Sequence, residues 1–233
     1  MKYTVDSSLF SKIPHLQFGI VIAKGLKNGP TLPIDALYLE RAEDAIRAEI
    51  PIDQIKTHPQ LAIYRDALQA VGINPNKFTN SVEAMSKRVL KGTNLPRINA
   101  LVDLCNALAL KHRVSLGGHD LKDLSSDLEV RFSQEGDIFL PFGETAYEQV
   151  PPGEVVFTSG HVIQTRQWLW RQSELGKVTE SSSDIVFQLV GFKENGVSQL
   201  SLAMSELSKL LTERFNVAHE SYWVDENNYS IEF

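Results

Sequence analysis

The apolar residues of this chain change period once, near Arg113, and that change limits what the chain can fold into. Before it the spacing is helical. Asp35 can cap a helix over 35–49, which Pro51 stops. Pro59 opens a second helix through Tyr64 and Leu68, closed by Gly72. Ser81 caps a third over 82–91, ended by Gly92, and a fourth follows Leu95-Pro96 and ends near Arg113. Beyond that point residues 128–132 alternate, 137–140 follow a turn at Gly136, and 155–158 and 162–165 flank Ser159-Gly160 as a hairpin. Residues 185–190 read as a long buried strand, and 222–224 with 229–231 predict a terminal hairpin. The exceptions are a strand over 18–23 in the first half and a helix through Leu200, Ala203, Leu207 and Leu211 in the second. Grouped rather than alternating elements predict an α+β fold, with a helical first half and a mixed or antiparallel β second half.

No repeat, low-complexity segment or linker divides the 233 residues, so a single domain over 1–233 is expected. The only cysteine, Cys105, forbids an internal disulfide. Residues 1–6 lack a signal-peptide apolar core, and no apolar run is long enough to span a bilayer. A cytoplasmic protein with no membrane partner is expected. A net charge of −6 argues against a general nucleic-acid coat, and no DNA partner is expected. Local basic clusters exist at Lys87, Arg88, Lys91 and Arg97, and at Arg166 and Arg171; solvated helix surface is the plain reading of each.

Many common chemistries lack their signatures. There is no G-x-S-x-G elbow, phosphate-binding glycine loop or dinucleotide fingerprint, and the six histidines include no H-E-x-x-H. No cofactor and no metal site are expected. Three features stand out. On the fourth helix, Asn99, Asp103 and Asn106 fall in one arc opposite Leu101, Cys105, Leu108 and Ala109, which is either a pocket wall or a wet face. Directly after it, Gly117-Gly118-His119-Asp120 is either a close backbone approach to a ligand or a tight turn with a surface histidine. Further on, alternation would set Arg166, Trp168 and Trp170 on one strand face, suiting a stacked base or a half-buried core strand equally.

Taken together, these segments resemble the B3/B4 domain of the phenylalanyl-tRNA synthetase beta subunit, and more closely the stand-alone B3/B4 proteins. The resemblance spans about 59–192. It is carried by Ser81-Val82-Glu83-Ala84, Arg88-Val89-Leu90-Lys91-Gly92, Leu95-Pro96-Arg97-Ile98-Asn99, Val102-Asp103-Leu104-Cys105-Asn106, Gly117-Gly118-His119-Asp120, Gly153-Glu154-Val155-Val156 and 166–172. Residues 1–57 and 193–233 lie outside it.

The resemblance implies an editing-type domain that binds tRNA at its aminoacylated 3′ end and hydrolyses mischarged esters, without aminoacylating. It puts Asn106, Asn99 and His119 in catalytic roles, the asparagines orienting ester or water and His119 holding water or moving a proton. Arg97, Asp103 and Asp120 fall in the same matched stretches as pocket residues. Arg166 and Arg171 would meet ribose or phosphate, and Trp168 or Trp170 would stack. The family's hydroxyl-reading glutamate has no counterpart in a matching motif; Glu174 and Glu180 lie in the corresponding part of the chain. The alternatives are a non-catalytic tRNA- or RNA-binding module and a small-molecule-binding protein reusing the fold.

Overall fold

A computed structural model describes residues 1–194 and 196–233. The fold is α+β. Its six helices are α1 (Ser7–Lys12), α2 (Pro33–Glu49), α3 (Pro59–Ala70), α4 (Ser81–Leu90), α5 (Ala100–His112) and α6 (Gln199–Glu213). One sheet has four strands: β2 (Leu16–Ala23), β3 (Ser115–Asp120), β10 (Ile185–Phe192) and β11 (His219–Val224), in the order β11-β2-β10-β3. The other holds β1 (Lys2–Val5), β4 (Leu128–Phe132), β5 (Ile138–Phe139), β6 (Glu148–Gln149), β7 (Val155–Ser159), β8 (Val162–Arg166), β9 (Arg171–Gln172) and β12 (Ser230–Glu232). Its order is β12-β1-β4-β7-β8-β5-β6, with β9 paired to β8.

The four-stranded sheet is covered on both faces, and its sequence shows why. β2 and β10 are near-continuous apolar runs, as strands buried on two sides must be. Val21, Ala23, Ile185, Phe187 and Leu189 face α5 and α6, whereas Phe18, Ile20, Ile22, Val186 and Val190 face the larger core shared with α3 and the second sheet. Each of the valines, isoleucines, leucine and phenylalanines among these contributes about 1.5–3 kcal/mol on burial, so a one-residue slip of β10 is strongly disfavoured.

The alternation passes to β3 through its antiparallel register with β10, in which Leu189 faces Leu116, Gln188 faces Gly117, Phe187 faces Gly118 and Val186 faces His119. Leu116 and Gly118 therefore look toward α5, and Ser115, Gly117 and His119 look the other way. β3 has no strand partner on its outer side, which leaves a free edge. Arg113 caps α5 in the left-handed region, with φ 54°, and returns the chain into β3 within two residues.

Several local expectations are corrected. Gly117-Gly118-His119-Asp120 is strand, not turn. Asn80, not Ser81, caps α4, its Oδ1 accepting the Glu83 N–H at 2.9 Å. The terminal strands form no hairpin: β11 pairs with β2 and β12 with β1, and only an isolated bridge, Asp225 to Asn228, joins the ends of the turn. β1 and α1 were not anticipated. No described helix is long and apolar enough to cross a membrane.

Candidate functional site

The polar line on α5 divides into two kinds of residue. Asn99 is the N-cap: its Oδ1 accepts the Val102 N–H at 3.0 Å and the Asn28 amide at 3.0 Å, and its Nδ2 donates to the Val178 carbonyl at 3.2 Å. Asp103 is fully buried and accepts from the Ile98 N–H at 2.9 Å and the Thr31 hydroxyl at 2.6 Å. Both side chains are consumed in starting the helix, whose first N–H groups have no partners within it. This corrects the expectation that Asn99 and Asp103 face a ligand. Asn106, two turns on, is half-buried, opens on a cavity and has no side-chain hydrogen bond among the described residues.

That cavity, about 170 Å³, lies between α5 and β3. α5 contributes Leu101, Val102, Cys105 and Asn106, with Ile98 just before it; Leu116, Gly118, Val178 and Phe187 close the other side, and Gln172, Lys177 and Phe142 complete it. Cys105 packs against the core cluster, as its place on the apolar stripe predicts, and also lines the cavity. Burial pushes its thiol up to about 12, so it is a neutral wall, not a nucleophile. Gly118 keeps the wall close-packed: a Cβ there would stand 3.3 Å from Val178 Cγ2 and 3.5 Å from Phe187 Cδ1.

The backbone of β3 adds polar groups at its free edge. Asp120 N–H leaves the sheet for the Gly176 carbonyl at 2.9 Å. Strand alternation sends the N–H and C=O of Gly118 to the same edge. The carbonyl accepts from Gln172 Nε2 at 3.0 Å. Outside the strand ladder the Gly118 N–H makes no hydrogen bond among the described residues.

A second cavity, about 100 Å³, lies on the opposite face of β3. Its lining includes Ser81, Ser115, His119, Thr165, Gln188 and Trp170. His119 is 2% exposed, its ring packs against Phe157 with centroids 4.7 Å apart, and its Nδ1 has no partner. Burial pulls its pKa down to about 4, so the imidazole is neutral at pH 7. Gln164 Oε1 is also buried without a partner, and both atoms flank Gly176. Leu116, Gly117 and Gln172 line both cavities. His119 and Asn106 therefore stand in adjacent cavities on opposite faces of one strand, not side by side in a single pocket.

The Arg/Trp segment is not one strand. β8 ends at Arg166, and Gln167 and Trp168 take positive φ values of 48° and 59°, a costly conformation for residues with side chains. The turn drives Trp168 into the core, 1% exposed and 6.4 Å from the Phe18 ring, where it also lines the second cavity. Trp170 is half-buried, edge-on to Phe78 at 4.9 Å, and borders the second cavity. Arg166 is engaged by Glu154 at 2.8 and 2.9 Å and by Glu148 at 3.2 Å, and those partners hold its pKa up. Arg171 lies opposite Arg166 in the β8–β9 ladder and lines neither cavity.

The remaining candidates serve the scaffold. Arg97 binds the Glu43 carboxylate at 3.2 and 3.3 Å and the Leu95 carbonyl at 2.9 Å, tying the approach to α5 onto α2. Asp120 accepts from the Ser182 hydroxyl at 2.5 Å and the Lys122 N–H at 3.1 Å, and does not pair with His119. Glu174 binds Lys177 and accepts the Gly143 N–H at 3.0 Å, and Glu180 is exposed.

Sequence reading missed Gln172, Lys177 and Phe142 as cavity residues. No local pattern marks Gln172, whose partner lies 54 positions away. A charge count across 77–97 carried a usable signal: Lys77, Lys87, Arg88, Lys91 and Arg97 against Glu83 alone, in a chain of net charge −6. Lys77, Arg88 and Lys91 make no ion pair among the described residues. Ser81, within this stretch, lines the second cavity, and Ile98, the residue after it, lines the first.

The family model for the B3/4 domain matches residues 63–217, which takes in α6, beyond the extent read from the sequence. No curated protein matches the chain. Among solved structures, an N-terminal fragment of the phenylalanyl-tRNA synthetase beta-subunit from Pyrococcus horikoshii is similar over 93% of this chain, with 13% sequence identity and a TM-score of 0.48. The match spans 49% of that fragment, so the chain corresponds to about half its length.

Proposed function

The chain belongs to the B3/4 domain family, and from that premise we propose that it is a cytoplasmic, single-domain protein that binds the aminoacylated 3′ end of tRNA and hydrolyses mischarged esters. The observation that carries this reading is that Asn106, whose amide makes no side-chain hydrogen bond among the described residues, lines the same cavity as Gly118, whose N–H strand alternation directs to the free edge of β3.

An aminoacyl ester is already activated. Its hydrolysis needs a placed water and a donor for the developing oxyanion more than a strong nucleophile. In the proposed step water adds to the ester carbonyl and the bond to the ribose oxygen breaks. A proton passes to that oxygen, leaving a free amino acid and a free terminal hydroxyl. Asn106 orients the water or ester, and the Gly118 N–H meets the oxyanion. Neutral His119, on the other face of β3, is placed to hold water in the adjoining cavity. The basic stretch over 77–97 reaches the second cavity at Ser81 and supplies charge for the phosphates of the tRNA end. Trp168 and Trp170 both line the second cavity, and Trp170 is the half-exposed one of the two.

Deacylation of a panel of mischarged tRNAs by the wild type and Asn106→Ala tests the proposal. Removing one positioned donor is expected to lower the rate by about 10²–10³-fold. A wild type that clears no ester above background overturns the hydrolase reading. The separation of His119 from Asn106 favours, in that event, a module that binds tRNA without catalysis. Binding that weakens steeply with salt and is lost on charge reversal at Lys91 and Arg88 would support it.

A further inference from the structure

Resting on the reading above, we propose that the cavity between α5 and β3 takes the side chain of the aminoacyl group and that this side chain is apolar, of leucine, methionine or phenylalanine size. The deepest lining residues are Leu101 and Phe187, 1% and 0% exposed, and Cys105 and Leu116 stand above them. No carboxylate lines this cavity. Its one cation, Lys177, is held by Glu174 and lies 5.5 Å from the Phe142 ring centroid, so it is already neutralised at the rim. The Cys105 thiol is uncharged at neutral pH.

Size and polarity select together. An apolar cavity of about 150 Å³ holds a benzene ring. At about 170 Å³ this one admits a branched aliphatic, thioether or phenyl group. A methyl would leave most of it empty, and the missing contacts amount to about 10- to 100-fold in affinity. A charged side chain would lose its water and gain no partner at Leu101 or Phe187. A phenol would put its hydroxyl against the same carbon surface. Apolar sites reject an added hydroxyl by only about 10²-fold, so tyrosine is disfavoured without being excluded. Asn106 and Gly118 N–H then remain for the ester.

The test uses the full chain and two readouts. Calorimetry measures binding of non-hydrolysable 3′-aminoacylamido-adenosines bearing alanyl, leucyl, methionyl, phenylalanyl, tyrosyl, aspartyl and lysyl groups. Deacylation is measured with the same amino acids esterified to one tRNA. Leucyl, methionyl and phenylalanyl are expected to lead alanyl, aspartyl and lysyl by at least about tenfold, with tyrosyl below phenylalanyl. Cys105→Phe, which fills the cavity, should erase that lead; Val102→Phe is read instead if Cys105→Phe melts early. Tyrosyl, aspartyl or lysyl in the lead overturns the side-chain assignment, and hydrolysis of those esters would leave the hydrolase reading standing. The apolar order in binding with no ester cleaved supports the assignment and overturns the hydrolase. If nothing binds, the order of deacylation decides; no binding and no deacylation overturns both.

Discussion

The side-chain amide of Gln172 donates to the backbone carbonyl of Gly118 across 3.0 Å. This one bond occupies the free edge of β3 where the two cavities meet, since Gln172 lines both. Gln172→Ala is therefore expected to cost about 1 kcal/mol, the usual net value of a hydrogen bond, and to join the cavities. Urea unfolding should show the small loss, and the aminoacyl panel should show weaker discrimination between large and small side chains. Discrimination equal to the wild type's would show that Gln172 does not partition the site.

Asn99 and Asn106 lie on the same side of one helix yet should fail differently. Asn99→Ala removes the N-cap and its bonds with Asn28 and Val178, so a loss of about 1–3 kcal/mol is expected. Asn106→Ala removes no bond within the fold, and its stability should stay within about 0.5 kcal/mol of the wild type. Urea midpoints for the two variants check this directly. A large destabilisation by Asn106→Ala would place that residue in the scaffold as well.

These contrasts mark where the sequence was legible. Periodicity located α2 to α6 and the long strands because burial on one face leaves a local signature. It misread Gly117-Gly118-His119-Asp120 because two glycines are a turn signal, while the strand there is imposed by the register with β10. It extended a strand through Trp168 because nothing local announces the positive φ at Gln167 and Trp168. Amphipathic arithmetic put Asn99, Asp103 and Asn106 on one side of α5, but the amide of Asn99 and the carboxylate of Asp103 are told apart from Asn106 only by Asn28, Thr31 and Val178, which are far off in sequence. The resemblance pointed to the region of the candidate site; the division of that region by β3 is a tertiary fact.

Glu206 joins α6 to α2 and α5. Burial alone would raise its pKa, but hydrogen bonds from Lys111, Tyr38 and His112 outweigh that and hold it at about 2. The unfolded chain protonates this carboxylate first, near the ordinary pKa of about 4.3. Its stabilisation is thus complete above that value and is lost as pH falls toward 2. Glu206→Gln should melt below the wild type at pH 7, and the gap should close between about pH 4.3 and 2. A gap unchanged at pH 2.5 would show that the contacts of the glutamate do not depend on its charge.

His119 titrates in the opposite sense to a histidine that gains an acidic partner. Burial alone depresses its pKa to about 4, and no carboxylate is placed to oppose the shift. The unfolded chain takes up the proton near pH 6.5, well before the folded one can. Its contribution is fully present above pH 6.5, falls as the pH drops toward 4, and amounts to about 3 kcal/mol over that window. Unfolding free energies of the wild type and His119→Gln, measured from pH 7.5 to 4.5, separate this slope from that of Glu206, which is lost mainly below. The wild type should lose more stability than the variant across that range. Parallel curves would show the ring to be hydrated through its unpartnered Nδ1, and so able to carry charge at the pH of the proposed hydrolysis. A steeper wild-type curve would confine His119 to the neutral form there, as a hydrogen-bonding group that holds water without becoming an acid.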